Sequence, residues 1–426
     1  MINIETKNDK FTAFGGLAYV FNALSKSGLP ELFENHLGKR GVRSTSYSYA
    51  SILKALVAVY LSGGDCIEDV NGLRDFWGRD ERMPSADVVG RAMKGLSIAS
   101  RKYKSTQGGE YRFNIAAKMN SLLVKSAKTL GLLDSEGELV VDYDNQLIAT
   151  EKKDAAYSYK QCFGYFPGVL AVGGVIVGVE NRDGNAPVKL FQEETLRRQL
   201  GRMEKEFPGR SLVFRADAGS YATDVLDVVS GKCERFYIRA NTSKERRVSY
   251  ERIEDWSPAE LDGESFDTAS MTVDDFLKGK TLRLVVQRSQ RKDDTDFFNG
   301  EYIYRAIVTN DFDRDEVDII RFYNGRGAIE RNFDMQNNDF GWGHMPFSHL
   351  NENAVFLVMT AIVKNFYLYF IERCSKVVDG IERTSRVKRF VNKFISVPAK
   401  WIHSGRRLVL KVYTPRNFYN RVAHLW

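Results

Sequence analysis

The chain has 426 residues, 43% of them hydrophobic, which is enough for two or three packed units and excludes a disordered composition. A net charge of +7 and a pI near 9.0 favour polyanionic partners, chiefly nucleic acid, although mild basicity is also common in proteins that bind none. Cys66, Cys162, Cys233 and Cys374 form no C-x-x-C pair, which disfavours zinc and redox motifs and fits a reducing compartment.

The N-terminus, MINIETKNDK, has no apolar signal core. Residues 1–135 are predicted to be helical, because Leu17, Phe21 and Leu24, and again Ile52, Leu56 and Tyr60, recur at helical spacing. Ser85 before Asp87 predicts a helix N-cap with an acidic first turn. Lys39, Arg40, Arg43, Arg91, Lys94, Arg101, Lys102 and Lys104 flank these helices. They read either as solvated faces or as a small DNA-binding region, without a strict helix-turn-helix signature.

The texture changes at 136. Over 136–245 the runs ELVVDYDNQL, AVGGVIVGVE, SLVFRADAG and ERFYIRAN predict strands, while TLRRQLGRMEKEF and YATDVLDVVSG predict helices between them. That is an α/β mixed sheet with crossover helices. Residues 246–304 are rich in Asp, Glu, Ser and Lys, with one strand-like run at TLRLVVQRSQ, and predict a partly β insertion into this core. Strand character resumes at EYIYRAIVTND, so 305–372 is assigned to the second part of the core. Its apolar stretch from Ala354 to Ile371 is broken by Lys364 and Asn365 and flanked by Glu352 and Glu372, which predicts a buried core helix rather than a membrane span. The remaining segment, 373–426, is basic. Residues 381–426 hold eleven Lys and Arg against the single acid Glu382, a balance of +10. Arg406 and Arg407 are candidate phosphate contacts there. The interleaved Phe390, Phe394, Trp401, Tyr413, Phe418 and Tyr419 either stack on bases or fill a core.

Three acidic motifs carry the chemistry. In VVDYDNQ, strand alternation projects Asp142 and Asp144 to one face, where two carboxylates repel unless a cation or proton neutralises them. In FRADAGS, Asp217 ends a strand before a small-residue turn, where α/β sheets bind ligands. In FYNGRGAIERNFDMQNNDFG, Tyr323, Arg326, Glu330 and Asn337 follow one another at spacings of 3, 4 and 7. On a continuous helix all four lie within roughly 60° of one another, with Asp334 nearby. The competing readings are a solvated strand end, a helix N-cap acid and a polar helix face.

The Y-x2-R-x3-E stretch resembles the signature around the last acid of DDE transposases from bacterial insertion sequences. That family's pattern continues with a lysine where this chain has Asn337. The DYDNQ and FRADAGS acids resemble its first and second acids, and 246–304 resembles the β-rich insertion that splits its RNase H-like core. EKKDAAYSYKQCFGYFPG and RDGNAPVKLFQEETL look like blocks of one such subgroup.

The resemblance implies an RNase H-like core with a helical N-terminal DNA-binding region and a basic C-terminal region. It implies two Mg²⁺ ions, with Mn²⁺ as a substitute, held by Asp217, Glu330 and a β-strand acid. Asp144 is preferred for that acid and Asp142 is the alternative. Tyr323, Arg326 and Asn337 would contact DNA. The implied partners are the element's inverted-repeat ends and target DNA, bound by a homodimer in the bacterial cytoplasm at the nucleoid, without a membrane. Competing functions are a nuclease that cuts without joining, a non-catalytic DNA-binding descendant and, more distantly, a paired-acid glycosidase.

Overall fold

The computed structural model of the chain describes residues 11–41, 46–76, 83–133, 136–290 and 302–426. Arg43, the MINIETKNDK segment and residues 291–301 of the expected insertion lie outside the described residues.

Apolar residues at helical spacing build the first elements, α1 (Leu17–Lys26), α2 (Leu29–Leu37), α3 (Tyr49–Leu61) and α4 (Ala86–Lys94). Leu17, Phe21, Leu24, Ile52, Leu56 and Tyr60 are all buried, as their periodicity predicts. Ser85 has the extended backbone of an N-cap, but its side chain makes no capping bond. Asn71 Oδ1 instead accepts from the Ala86 N–H at 3.3 Å. A hairpin of β1 (Arg101–Lys104) and β2 (Glu110–Asn114) follows, and then α5 (Ala117–Thr129).

The α/β stretch supplies β3 (Leu139–Asn145), a small sheet of β4 (Ile148–Ala149), β5 (Ala156–Tyr157) and β6 (Phe163–Tyr165), then β7 (Gly168–Val172) and β8 (Val175–Arg182). After these come α6 (Gln192–Glu206), β9 (Leu212–Ala216), α7 (Thr223–Lys232) and β10 (Arg235–Ala240). The centre of the sheet runs β8-β7-β3-β9-β10. Strand β3 is antiparallel to β7 and parallel to β9, and β9 is parallel to β10. This is the RNase H-like arrangement: an antiparallel meander leads into parallel strands reached through crossover helices.

The region after β10 continues the same sheet. Helix α8 (Lys244–Glu251) precedes β11 (Ser257–Leu261), β12 (Glu264–Leu277), β13 (Lys280–Gln290) and β14 (Tyr302–Thr309). Strand β14 pairs with β10 on one side and β13 on the other, so the full order is β1-β2-β8-β7-β3-β9-β10-β14-β13-β12-β11. Pairing β14 against β10 covers an edge that would otherwise expose unpaired backbone groups.

The chain then forms α9 (Glu316–Asn324), α10 (Ala328–Asp339) and α11 (Leu350–Cys374). Helix α11 is long and apolar enough to cross a membrane, but 94% of its most apolar window is buried inside the protein, so it is a core helix. Helices α1 to α4, α11 and the C-terminal segment share one apolar cluster. That segment ends in a hairpin of β15 (Ala399–Ser404) and β16 (Arg407–Val412), bridged back to the N-terminus through Thr12–Ala399 and Phe14–Val397. Of its aromatic rings, Phe390, Phe394 and Tyr419 fill this core, whereas Tyr413 is 48% exposed.

Candidate active site

Strand alternation sets the site. Leu139, Val141 and Tyr143 of β3 and Leu212, Phe214 and Ala216 of β9 pack into one core cluster. Val140 and Val213 face the opposite cluster, together with Ile319, Ile320 and Tyr323 of α9. Asp142, Asp144 and Arg215 are in phase with that second set, so they point toward α9 and α10. The β3–β9 register pairs Asp142 with Arg215 and Tyr143 with Ala216. One further step brings Asp144 beside Asp217, which follows the end of β9, across a strand spacing of about 4.8 Å.

The two β3 acids therefore differ in surroundings although they share a face. Asp142 is fully buried and accepts two hydrogen bonds from Arg215, from Nε to Oδ1 at 2.7 Å and from Nη2 to Oδ2 at 2.8 Å. Burial pushes its carboxyl above the usual carboxylate range, against the pull of Arg215. Asp144 lies nearer the strand end, and its side chain is 20% exposed. Burial, reinforced by the negative charge of Asp217, pushes its carboxyl up to about 6. Asp217 is half-buried and caps a short 3-10 turn, accepting from the Gly219 N–H at 2.9 Å.

Arg326 links the strand acids to the third one. It donates from Nη1 to Asp144 Oδ2 at 3.1 Å, and its Nη2 lies 4.0 Å from Glu330 Oε1. Tyr323, Asp144 and Asp217 hold its guanidinium above its usual value although burial opposes this. Glu330 lies in the first turn of α10, where the helix dipole favours an anion, and its side chain is 71% exposed. Tyr323 is buried. Asn337 lies two turns further along α10, and its buried Oδ1 has no hydrogen-bond partner. Arg406 and Arg407 are exposed at the β15–β16 turn. Asp142, Asp144, Asp217, Tyr323, Arg326 and Glu330 thus gather around one sheet end.

Where one continuous helical stripe was expected from Tyr323 to Asn337, the helix is broken. Helix α9 stops at Asn324, a 3-10 turn spans Gly325–Gly327, and α10 starts at Ala328. Arg215 lies against this break and donates to the Phe322 carbonyl. A Cβ on Gly325 would come within 2.6 Å of its Nη1. The break lets Tyr323 tuck into the core while Glu330 stays at the surface.

Helix α10 is also fixed from below. Lys364 on α11 is fully buried; it donates to Asn332 Oδ1 at 2.6 Å and to the Gly174 carbonyl. Asn332 donates to the Gly173 carbonyl at 2.8 Å. Burial lowers the Lys364 ammonium to about 7. The polar break in the apolar helix is therefore a latch that ties the Glu330 helix to the β7–β8 turn. Sequence reading passed over this latch, and it passed over Arg215. The signal for Arg215 was its strand position, in phase with Asp217 and two residues before it on β9, where the register pairs it with Asp142.

Asp144, Asp217 and Glu330 offer the hard carboxylate oxygens that suit Mg²⁺ or Mn²⁺, but their ligand atoms do not all come within 4.8 Å of one another: Glu330 is 71% exposed, and Arg326 contacts both it and Asp144. Among the described residues, the one group of His, Cys, Asp or Glu whose ligand atoms all lie within 4.8 Å of one another is Asp65, Cys66 and Asp69. There, Asp69 Oδ2 accepts from the Asp65 and Cys66 N–H groups at 3.0 and 3.3 Å, so it is already satisfied by the backbone of the loop that precedes it.

Acids gathered at the ends of parallel strands in an RNase H-like sheet define a class of nucleic-acid-processing proteins. The chain matches the family described as transposase DDE domain group 1 over residues 1–422, and it belongs to that family of DDE transposases. Members of this family act on DNA and use divalent metals. No curated protein matches the chain.

Proposed function

We propose that the chain is a DNA transposase that cleaves the ends of its own insertion sequence and joins them to target DNA. Asp144, Asp217 and Glu330 would hold two Mg²⁺ ions, which when bound supply Lewis-acid activation of the nucleophile and of the leaving oxygen. The single observation that carries this reading is Arg326, which touches Asp144 on β3 and approaches Glu330 on α10, with Asp217 beside Asp144. That contact supports the reading because Arg326 touches Asp144 across the fold while pairing with Glu330 four residues on along its own segment. Asp142, already satisfied by Arg215, is read as the structural member of the pair.

Arg326 has the planar fork that suits a phosphate, and Tyr323 orients it from the core side. Asn337 on α10 and the exposed Arg406 and Arg407 are read as contacts to flanking DNA. The working assembly is read as a homodimer on two inverted-repeat ends, acting at the nucleoid in a bacterial cytoplasm. Regions 1–135 and 373–426 are read as DNA-holding, with the core at 136–245 and 305–372 and the insertion at 246–304.

A nuclease that cuts without joining would use the same acids. Strand transfer separates the two. Pre-cut duplexes carrying the imperfect inverted repeats that flank the coding region, with a supercoiled plasmid as target, should give Mg²⁺-dependent joined products. Cleavage of uncut ends without any joining of pre-cut ends would reject the transfer step and leave a nuclease.

A further inference from the structure

The three most exposed large apolar side chains among the described residues cluster in one short segment: Tyr159 at 71%, Tyr157 at 56% and Phe163 at 51%. Tyr157 and Phe163 lie on the small β4–β6–β5 sheet and Tyr159 in the turn that joins β5 to β6; this sheet leaves the main sheet directly after the strand carrying Asp144. Tyr157 and Phe163 are register partners and meet edge to face at 5.3 Å. Tyr159 stands at the hairpin tip, with the Lys160 ammonium 5.8 Å from its ring centre. Lys153 and Lys160 are exposed beside them.

The rings are exposed on a rigid mount. Asp154 accepts from Arg112 at 2.8 Å, from the Tyr165 hydroxyl at 2.5 Å and from the Leu350 N–H at 3.0 Å, which bolts the small sheet to β2 and α11. Backbones also approach closely, since a Cβ on Gly184 would lie 2.3 Å from the Gly164 carbonyl oxygen. Exposed aromatic rings held in place beside cations have the make-up of a single-stranded DNA platform, because every base offers a π-face and every linkage a phosphate.

We propose that Tyr157, Tyr159 and Phe163 stack on unpaired bases of DNA whose backbone runs to the Asp144–Asp217–Glu330 site, with Lys153 and Lys160 on the flanking phosphates. This rests on the transposase reading. The small sheet begins at Ile148, directly after the acid-bearing strand ends at Asn145, so its mount is continuous with that strand.

The test is fluorescence anisotropy with two labelled probes, a 20-nucleotide oligothymidine and a 20-base-pair duplex, at one fixed salt concentration. The triple variant Tyr157→Ala, Tyr159→Ala, Phe163→Ala should bind oligothymidine roughly tenfold or more weakly, because stacking losses accumulate per base. Its duplex affinity should be unchanged, and Tyr157→Phe with Tyr159→Phe should bind as the unaltered chain does. Equal oligothymidine affinity in the alanine variant overturns the platform while leaving the transposase reading intact. If equal affinity comes with loss of a dimer in sedimentation, the rings pair two copies of the chain and the platform is likewise overturned. Absence of binding to either probe by the unaltered chain overturns the transposase reading and the platform together.

Discussion

Glu330→Gln and Asp144→Asn proteins should each lose Mg²⁺-dependent cleavage of their element ends by roughly a thousandfold or more. A bound metal contributes several kcal/mol of charge stabilisation, and each ~1.4 kcal/mol is tenfold in rate. Duplex binding should persist in both, because phosphate contacts come from cations and not from these acids. The Asp144 variant carries a second, independent signature. In the folded chain the Asp144 carboxyl is pushed up to about 6 by burial and by Asp217, so between about pH 4 and pH 6 the folded state holds more protons than the unfolded one. The group therefore costs stability as pH rises through that window, by up to roughly 3 kcal/mol at neutral pH without metal. Asp144→Asn removes this cost, and urea unfolding at pH 7 in chelator should show the variant no less stable than the parent. Retained cleavage by either variant would exclude that acid from the site.

Asp142→Ala should behave in the opposite way and cost about 3–5 kcal/mol of folding stability, since it leaves the Arg215 guanidinium buried without a carboxylate partner. Arg215 is 8% exposed, and both of its carboxylate bonds are to Asp142. Loss of the pair should also loosen the α9–α10 break, because the same guanidinium holds the Phe322 carbonyl. Urea midpoints at constant slope measure the effect. A stable Asp142→Ala protein that no longer binds metal would exchange the roles of the two strand acids.

The sequence made the strands of the core legible because their apolar runs are short, β-branched and bounded by turns. The acids were legible as types at strand ends and at one helical spacing. Two features were not. Alternation put Asp142 and Asp144 on the same face and could not separate them, since the difference comes from Arg215 on a neighbouring strand 73 residues away. The stripe from Tyr323 to Asn337 was drawn on an unbroken helix, whereas Gly325 marks a close approach of Arg215 that is visible only in three dimensions. Lys364 is a similar case. It was visible as an interruption of an apolar helix, but its partners Asn332 and Gly174 lie on other elements. The region after β10 was expected as an insertion, and its strands prove to extend the core sheet because β14 pairs with both β10 and β13.

The central claim is that carboxylates from β3, the end of β9 and α10 hold divalent metal. Crystals of the chain with DNA carrying its terminal repeat, soaked in Mn²⁺ and measured at the manganese edge, test this most directly. The account predicts anomalous peaks within coordination distance of Asp144, Asp217 and Glu330, with Arg326 turned from Asp144 toward phosphate. Peaks confined to other carboxylates, with Arg326 still on Asp144 in a DNA-bound, manganese-saturated crystal, would contradict it.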